Sequence, residues 1–380
     1  MSMSKIVLVT GGAGFIGSHL IPKLQAHGYR IRVLDPLTVQ VHGVLPQDLD
    51  WLAGEGIEFI RGSVTSKEDW TRSLEGVHAV VHLAAETGTG QSMYEIAKYN
   101  EVNSQGTALM FEVLSRMTTH QVKRIVLSSS RSVYGEGAYV NPESGMRVCP
   151  SARTADALNL QQWEPVCPLS GAQLQLVPTK ETDQIAPSSF YAATKYAQED
   201  LVRIGCQSMG IGYTIFRLQN VYGERQSLNN PYTGILSIFS TKIRRDSVLP
   251  LFEDGLESRD FVHVDDVTDA LLAGLTVTES PNAIINVGSG VATSVKEVAE
   301  ELTKAFGKEP NVTVTGQFRI GDIRHNYADI ERLISLLGVV PKVSLKEGLK
   351  RFAAWVLSQP LPEDQLEKAN QELRARKLMN

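Results

Sequence analysis

A tyrosine and a lysine four residues apart, Tyr191 and Lys195, are the strongest chemical signal in the sequence. Four residues are about one turn of an α-helix, so a helix places both side chains on the same face. A cation held beside a phenol favours the phenolate, which makes the tyrosine a usable base near neutral pH. The pair alone is weak evidence, because an exposed helix with an ordinary tyrosine and lysine fits the same spacing.

A glycine-rich loop lies near the start of the chain. The apolar run 5–10 predicts a strand, Gly11, Gly14 and Gly17 follow it, and residues 18–28 carry apolar side chains at helical spacing. Strand, glycine turn and helix are the context of a dinucleotide site, because glycines let the backbone approach a pyrophosphate. The N-terminus of the helix then offers free N–H groups to the anion.

Asp35 ends a second predicted strand, residues 30–34, shortly after this loop. A carboxylate at that place suits the ribose hydroxyls of NAD and repels the extra phosphate of NADP. The sequence therefore predicts NAD as the cofactor. The alternative is a structural glycine turn followed by an incidental acid.

The composition limits the number of domains and the class of protein. A chain of 380 residues with 42% hydrophobic residues can bury the core of one large or two modest domains. A net charge of -5 gives no basic footprint for nucleic acid. No apolar run approaches a membrane span, and residues 1–5 lead directly into the first strand, so we expect neither a membrane segment nor a signal peptide. Three cysteines do not make a disulfide framework, and we expect a soluble, cytoplasmic enzyme.

Strands and helices alternate through the first two-thirds of the chain, which predicts an α/β fold with a doubly wound parallel sheet. The further predicted strands are 57–60, 79–83, 124–128 and 213–217, and the predicted helices are 66–74, 94–116, 191–209, 265–275, 295–306 and 330–337. From about Gly223 the chain is more irregular, so we predict a nucleotide-binding domain followed by a smaller, interleaved substrate domain. Residues 362–380 are charged with leucines spaced through them, which predicts a surface helix or a frayed tail.

Further polar groups stand at or near predicted strand ends, where ligands bind in doubly wound sheets. The run 128–130 is three serines, one of which could hydrogen-bond a reacting oxygen; a serine-rich turn is the alternative. We expect His82 to be a packed histidine at a strand end rather than a catalyst. Arg259 could bind a phosphate in bidentate fashion, or could form a plain ion pair with Asp260.

Six motifs occur in the order seen in extended short-chain dehydrogenases/reductases. They are residues 10–17 (TGGAGFIG), 82–85 (HLAA), 128–130 (SSS), Tyr191-x-x-x-Lys195, 217–223 (RLQNVYG) and 259–263 (RDFVH). From about Lys5 to Trp355 the chain resembles nucleotide-sugar epimerases and dehydratases, which have a Rossmann domain, tightly held NAD and a C-terminal nucleotide-sugar domain. Residues 90–96, 129–137 and 226–238 resemble a narrower group, the bacterial dTDP-L-rhamnose 4-epimerase-like proteins, which make dTDP-6-deoxy-L-talose.

The resemblance implies roles for particular residues. Ser130 is implied as the catalytic serine, Tyr191 as the base and Lys195 as its partner on the nicotinamide ribose. The implied cofactor-binding residues are Gly11, Gly14, Phe15, Ile16, Gly17, Asp35, Ser63, Val64, Leu83, Ala84, Ala85, Asn103, Ser128, Tyr191 and Lys195. The implied substrate-binding residues are Glu86, Thr87, Ser92, Arg131, Asn220, Arg259 and Arg319, the last three at the nucleotide diphosphate.

The resemblance also implies the domain plan and the assembly. An NAD-binding domain is expected over 1–217, with an insertion at about 143–182 and a returning segment at about 260–288. The nucleotide-sugar domain is expected over 218–259 and 289–355, and a tail over 356–380. Residues 94–116 and 191–209 resemble the paired helices through which this family forms a homodimer by a four-helix bundle; alternatively, their apolar faces only cover the sheet.

Three departures from the family pattern qualify this expectation. Dehydratases carry an Asp-Glu pair after the catalytic hydroxyl, whereas Arg131 and Ser132 stand here, so dehydration is not expected. Ser63 stands where the family usually has an aspartate that reaches the adenine. The insertion carries Cys149 and Cys167, and two cysteines cannot fill a tetrahedral zinc site, so no metal is expected.

The expected activity is NAD-dependent 4-epimerisation of a nucleotide sugar through a transient 4-keto sugar, with a dTDP-linked 6-deoxyhexose as substrate. An NADPH-dependent 4-keto-sugar reductase is the main alternative, against which Asp35 argues, and a 4,6-dehydratase is a weaker one. A non-catalytic regulator with this fold usually loses the tyrosine–lysine pair, which is present here. The sugar, the base of the nucleotide and the inverted carbon stay open.

Overall fold

The computed structural model describes residues 5–43, 49–228, 230, 234–277, 282–364 and 366–379. The strands are β1 (Ile6–Thr10), β2 (Arg30–Asp35), β3 (Ile57–Arg61), β4 (Val77–His82), β5 (Arg124–Ser130), β6 (Tyr139–Val140), β7 (Arg147–Val148), β8 (Gln175–Leu176), β9 (Gly212–Leu218), β10 (Asn220–Tyr222), β11 (Leu249–Leu251), β12 (Ser258–Arg259), β13 (Phe261–His263), β14 (Ala283–Val287), β15 (Thr293–Ser294), β16 (Val312–Val314) and β17 (His325–Asn326). The α-helices are α1 (Phe15–Ala26), α2 (Val39–His42), α3 (Lys67–Leu74), α4 (Thr89–Ser92), α5 (Ile96–Tyr99), α6 (Gly106–Arg116), α7 (Ala155–Asn159), α8 (Phe190–Met209), α9 (Ile235–Arg244), α10 (Val264–Thr276), α11 (Val295–Ala305), α12 (Glu331–Leu337), α13 (Leu345–Ser358) and α14 (Leu366–Ala375).

Seven parallel strands form the central sheet, in the order β14-β9-β5-β4-β1-β2-β3. The chain runs from β1 outward to β3 and then returns to place β4 on the other side of β1. Ligands of doubly wound sheets bind in the crevice that such a reversal opens at the carboxyl ends of the strands. The predicted α/β fold is confirmed. Six strands of the central sheet were predicted from the sequence, namely β1, β2, β3, β4, β5 and β9, whereas the sequence pattern did not single out β14.

Helices cover both faces of the sheet because strands buried on both sides need two apolar layers. On one face Leu20 of α1 and Leu271 of α10 pack on the strands. On the other face Trp70 of α3, Met110 of α6 and Val202 of α8 do so. All five side chains are fully buried.

A smaller core lies beyond the carboxyl ends of the central strands. It is built around Phe239 of α9, Val298 of α11 and Phe352 of α13, all nearly or fully buried. Short strand pairs surround it, among them β11 with β16 and β10 with β13. This second body stands opposite the glycine loop, so the two cores enclose a crevice between them.

The helix predicted over 94–116 is interrupted. The backbone forms α5, then a π-helix over Asn100–Gln105, and then α6. π-Helical turns are rare and often occur at functional sites. Here the wide turn carries Asn103, whose side chain is fully buried.

The predicted insertion forms a small sheet of its own, in the order β7-β6-β8, together with α7. Arg153 fixes it to the rest of the molecule, because its guanidinium donates to Glu136 at 3.1 Å and to Glu253 at 2.9 Å. The Arg153 side chain is only 4% exposed.

The C-terminal segment differs from the predicted surface helix or frayed tail. It does contain a helix, α14, but Leu366 and Leu373 of that helix are buried, and so is Met379 after it. Leucines on one face of a charged helix need an apolar partner, and the sequence pattern does not say which surface provides it. Among the described residues, no helix is both long and apolar enough to cross a bilayer.

Candidate active site

A cavity of about 610 Å³ opens at the carboxyl ends of β1, β2 and β4. The predicted cofactor residues that line it are Gly11, Gly14, Phe15, Ile16, Gly17, Asp35, Ser63, Val64, Leu83, Ala84, Ala85 and Tyr191. Asn103, Ser128 and Lys195 are buried beside the cavity and do not line it. The sequence reasoning missed Pro36, Thr38, Gln40, Val41, His42 and Val102, which also line it.

The glycine loop is a place where no side chain fits. Gly11 has a φ of +66°, and a Cβ there would lie 2.8 Å from the backbone of Ala84. A Cβ on Gly17 would lie 2.3 Å from the carbonyl oxygen of Gly12. Because α1 begins at Phe15, its N-terminal turn lines the cavity directly after the loop. A bare backbone beside a helix N-terminus is the cradle that a pyrophosphate requires, so these residues fit NAD.

Asp35 ties the loop to the end of β2. Its carboxylate accepts hydrogen bonds from the backbone N–H of Ala13 at 3.1 Å and of Leu37 at 2.8 Å. Burial raises the pKa of Asp35, while these hydrogen bonds and the nearby ring of His42 act in the opposite direction. His42 Nε2 lies 3.8 Å from the carboxylate. A histidine shortly after the acid was visible in the sequence, but only the short helix α2 brings it back to Asp35.

Ser63 replaces the aspartate that the family usually places there, and its surroundings show how the loop is held. The backbone N–H of Ser63 donates to the carboxylate of Asp69 at 2.9 Å. The Ser63 hydroxyl lies 2.8 Å from that of Thr65. Asp69, from α3, therefore fixes the backbone, and Ser63 lines the cavity together with Val64.

Ser130 and Tyr191 meet at the end of β5. Ser130 Oγ accepts from the backbone N–H of Ser132 at 3.2 Å and from the Ser132 hydroxyl at 3.0 Å. Burial raises the pKa of Tyr191, whereas the neighbouring Ser130 hydroxyl and the charge of Arg131 lower it. The sequence predicted Lys195 as the cation that favours the phenolate. The structure adds a second cation, Arg131, one residue after the serine, and the role of Lys195 stays a prediction.

Arg131 stays charged at neutral pH although it is enclosed. Burial, together with the neighbouring charge of Arg259, lowers the pKa of Arg131 to about 9. Its Nε donates to the side-chain oxygen of Asn220 at 2.9 Å, which fixes the guanidinium beside Tyr191.

Lys195 points into the protein, one turn along α8 from Tyr191. Only 3% of the residue is exposed, and its Nζ donates to Gln198 Oε1 at 2.8 Å. Burial lowers the pKa of Lys195 to about 7, while the carboxylate of Glu199 acts in the opposite direction. The ammonium is therefore partly deprotonated near neutral pH, and Gln198 orients it.

A buried polar chain connects Gln198 with the first strand. Gln198 Nε2 donates to Thr107 Oγ1 at 2.8 Å, and Thr107 Oγ1 lies 3.0 Å from His82 Nε2. The other ring nitrogen of His82 lies 2.7 Å from Thr10 Oγ1. Burial and the charge of Lys195 lower the pKa of His82 to about 3. His82 is thus a neutral, packed histidine, as expected.

Asn103 and Ser128 hold strand ends in place. Asn103 Oδ1 accepts from the backbone N–H of Glu86 at 2.8 Å, and its Nδ2 donates to Thr194 Oγ1 at 3.0 Å. Ser128 Oγ donates to the carbonyl oxygen of His82 at 3.3 Å. Both side chains support the walls of the cavity from behind.

A second cavity, of about 250 Å³, adjoins the first. Four of the predicted substrate-binding residues line it: Arg131, Asn220, Arg259 and Arg319. Glu86 and Thr87 line the larger cavity instead, and Asn220 lines both. Ser92 lines neither cavity, because it is fully buried and its hydroxyl donates to the carbonyl oxygen of Thr89 at 2.6 Å.

Arg259 is not paired with Asp260, which was the alternative left open by the sequence. Its guanidinium donates to the carbonyl oxygens of Arg324 at 2.9 Å and Ile323 at 2.7 Å. Asp260 instead accepts from the backbone N–H and hydroxyl of Ser289, each at 2.7 Å. Carbonyl oxygens carry no full negative charge. Burial raises the pKa of Glu257, which lines the same cavity, and the charge of Arg259 acts in the opposite direction. A guanidinium in this position is suited to an anionic ligand.

The cysteines of the insertion do not form a metal site with other ligands. Cys149 and Cys167 are free thiols. Within the described part of the chain, no group of three histidine, cysteine or acidic side chains is arranged to hold a metal ion.

Comparison with known proteins gives the same picture. The model of the NAD dependent epimerase/dehydratase family matches residues 7–155 and 167–288. The dTDP-L-rhamnose 4-epimerase of Burkholderia thailandensis is 38% identical over 93% of this chain and 96% of its own length. The structure of Thermotoga maritima UDP-glucose 4-epimerase with UDP-glucose is similar at a TM-score of 0.72 and 29% identity, over 92% of this chain and 98% of that one. The structure of Thermus thermophilus UDP-glucose 4-epimerase in complex with NAD is similar at a TM-score of 0.72 and 27% identity. The match covers 93% of this chain and 100% of that one.

Proposed function

Because the chain belongs to the NAD dependent epimerase/dehydratase family, we propose that it inverts carbon 4 of a dTDP-linked 6-deoxyhexose, interconverting dTDP-L-rhamnose and dTDP-6-deoxy-L-talose. The protein is an NAD-dependent nucleotide-sugar epimerase. The dTDP-linked substrate is supported by the similarity to the Burkholderia thailandensis relative and by the three stretches that resemble its group. Residues 229 and 231–233 of the third stretch lie outside the described residues.

One observation carries the assignment of the site. Tyr191, with Ser130 and Arg131 beside it, lies where the two cavities meet. Tyr191 lines the larger cavity, Arg131 lines the smaller one, and Asn220 lines both. A cofactor in one cavity and a nucleotide sugar in the other would therefore meet at this phenol.

The roles follow from these positions. Tyr191, as phenolate, takes the proton of the sugar 4-hydroxyl, and Ser130 hydrogen-bonds the same oxygen. Bound NAD supplies the acceptor and later the donor of the hydride at that carbon. The keto sugar turns over between the two transfers, and Tyr191 returns the proton to the new hydroxyl. Arg259 and Arg319 hold the diphosphate while the sugar turns.

A panel of nucleotide sugars tests the substrate directly. We expect the purified protein to interconvert dTDP-L-rhamnose and dTDP-6-deoxy-L-talose without added cofactor, and to act much more slowly on UDP-glucose. Mass spectrometry of the cofactor released by heat should give NAD and not NADP. Turnover of dTDP-4-keto sugars alone, and only with NADPH supplied, would establish the reductase instead.

Arg131 sets the pH dependence in this proposal. Its charge lowers the pKa of Tyr191, so Arg131→Met raises that pKa and leaves less phenolate at neutral pH. We expect the acidic limb of the kcat–pH profile to move to higher pH in this variant and kcat to recover in alkaline buffer. Arg131→Lys keeps the positive charge, so the acidic limb of its kcat–pH profile should stay at the wild-type pH. If Arg131→Met instead lowers kcat by the same factor at every pH, Arg131 acts only in substrate binding.

We propose a homodimer through the outer faces of α6 and α8, because Met110 and Val202 on their inner faces are already buried against the sheet. α8 keeps Ile204 on its outer side, 56% exposed. A partner helix in the dimer would cover this side chain. Sedimentation should give twice 41.7 kDa, and Ile204→Glu should shift the protein towards monomer. Leu357→Glu, at 57% exposure on α13, should not. A monomeric wild-type protein at micromolar concentration would refute the dimer.

The cytoplasmic location stays a prediction from the sequence. We propose that the protein acts in the cytoplasm, and fractionation of cells that express it would test this location.

A further inference from the structure

Residues 360–364 and 366–379 of the C-terminal segment run along the smaller cavity, and we call them the C-terminal strap. Leu366, Leu373 and Leu378 of the strap line that cavity. Arg259 and Arg319 line the same cavity, and the backbone of Arg319 pairs with that of Met379 in the strap. The strap is therefore in contact with the space that the proposed function assigns to the nucleotide sugar.

The strap is attached to the smaller body of the protein near both of its ends. Near the start, Lys242 forms an ion pair with Asp364 at 2.9 Å, and Arg245 donates to the carbonyl oxygen of Pro362 at 2.7 Å. Near the end, the backbone N–H of Ile320 donates to the carbonyl oxygen of Leu378 at 3.0 Å. These contacts fix the path of the strap over the cavity.

The middle of the strap reaches the other side of the crevice, which belongs to the NAD-binding body. The hydroxyl of Tyr94 donates to Glu372 at 3.0 Å, and the guanidinium of Arg376 lies 4.2 Å from the centre of the Tyr94 ring. Tyr94 follows shortly after Thr89, which lines both cavities. The strap thus joins the two walls between which a substrate must enter.

Asn370 connects the strap with Arg319. Only 4% of Asn370 is exposed, and its Oδ1 accepts from Arg319 Nη2 at 2.9 Å. The Arg319 guanidinium lies 4.8 Å from the centre of the Phe252 ring, and its Nε is buried without a hydrogen-bond partner. A buried donor without a partner is costly. A ligand oxygen in the cavity could take that donor while Asn370 holds the other nitrogen.

We propose that the C-terminal strap is part of the substrate site, in which its leucines form an apolar wall and Asn370 is a positioning residue that orients Arg319 towards the diphosphate. The identity of the ligand as a nucleoside diphosphate sugar rests on the proposed function. The strap must open for the ligand to enter, and the bound ligand then holds it closed through Arg319.

Nucleotide binding to a single variant tests this proposal. We expect Asn370→Ala to bind dTDP about 10-fold more weakly by calorimetry, since one hydrogen bond of ordinary strength is lost. KM for the nucleotide sugar should rise by a similar factor while kcat stays within about twofold, because the groups that move the proton and the hydride are untouched. Gln371→Ala is the matched control, because Gln371 is exposed on the same helix and should leave all three values unchanged.

The outcomes separate the strap from the proposed function. Wild-type affinity for dTDP in a folded Asn370→Ala protein would overturn the role of the strap and leave the epimerase assignment standing. Weaker dTDP binding in the variant, with no epimerisation by the wild-type protein, would support the strap and overturn the proposed substrate. If dTDP, UDP and GDP all fail to bind the wild-type protein, both proposals are wrong.

A second measurement does not depend on any variant. Lys377 is exposed near the end of the strap and is a site for trypsin. We expect dTDP to slow tryptic cleavage at Lys377 several-fold in the wild-type protein, since a closed strap resists the protease. An unchanged rate at saturating dTDP would contradict closure.

Discussion

Replacing Tyr191 with phenylalanine should lower kcat for epimerisation by about 100- to 10,000-fold, the usual contribution of a general base. The phenol lines the larger cavity beside Ser130 and Arg131, which lower the pKa of Tyr191 against the raising effect of burial. Phenylalanine keeps the ring and its edge contact with Tyr99, whose centre lies 6.4 Å away. The fold and the NAD content should therefore be preserved.

The matched control is Tyr196→Phe, on the same helix and outside both cavities. It should keep kcat close to the wild-type value. Steady-state rates and the NAD released by heat are measured for both variants. Turnover near the wild-type rate in Tyr191→Phe, with NAD still bound, would mean that another group moves the proton.

The largest effect on stability is expected behind the site, at Arg217. This side chain is 3% exposed and pairs with Glu199 at 2.7 Å. It also donates to the hydroxyl of Tyr134 at 2.9 Å. Arg217→Met should lower the free energy of unfolding by about 3–5 kcal/mol, because it leaves the carboxylate of Glu199 buried and unpaired.

Two comparisons isolate the cause of that loss. The double variant Arg217→Met with Glu199→Met should regain part of the stability, since no uncompensated charge is then buried. Arg203 and Asp200 form an exposed ion pair on α8, the helix that also carries Glu199. Arg203→Met breaks this pair and should lower the free energy of unfolding by only about 0–1 kcal/mol. Denaturant unfolding measures all three variants. An Arg217→Met protein as stable as Arg203→Met would contradict the role of the buried pair.

The sequence was sufficient for six of the seven strands of the central sheet, all except β14. Apolar runs such as the one before Gly11 mark strands buried on both faces, and short-range patterns of this kind persist in the fold. The glycine loop, Asp35 and Tyr191 could be placed on one cavity because the carboxyl ends of parallel strands share one edge of the sheet.

The sequence was not sufficient where the chemistry depends on tertiary contacts. It predicted Lys195 as the cation beside Tyr191, but it did not predict that Gln198 accepts from Lys195 or that the charge of Arg131 acts on Tyr191. It also predicted a surface helix or a frayed tail at the C-terminus, although the leucines around Asn370 line the smaller cavity. Helical spacing tells which side chains share a face but not which surface of the protein will cover them.

The measurement that tests the central claim most directly follows one hydrogen atom. A dTDP-6-deoxyhexose carrying deuterium at carbon 4 is incubated with the protein in ordinary water until the epimers equilibrate, and the label in the product is read by NMR. We expect the deuterium to remain at carbon 4 in both epimers, because the hydride leaves and returns at that carbon within one closed site. Loss of the label to solvent would contradict this mechanism and would indicate proton abstraction next to a carbonyl group instead.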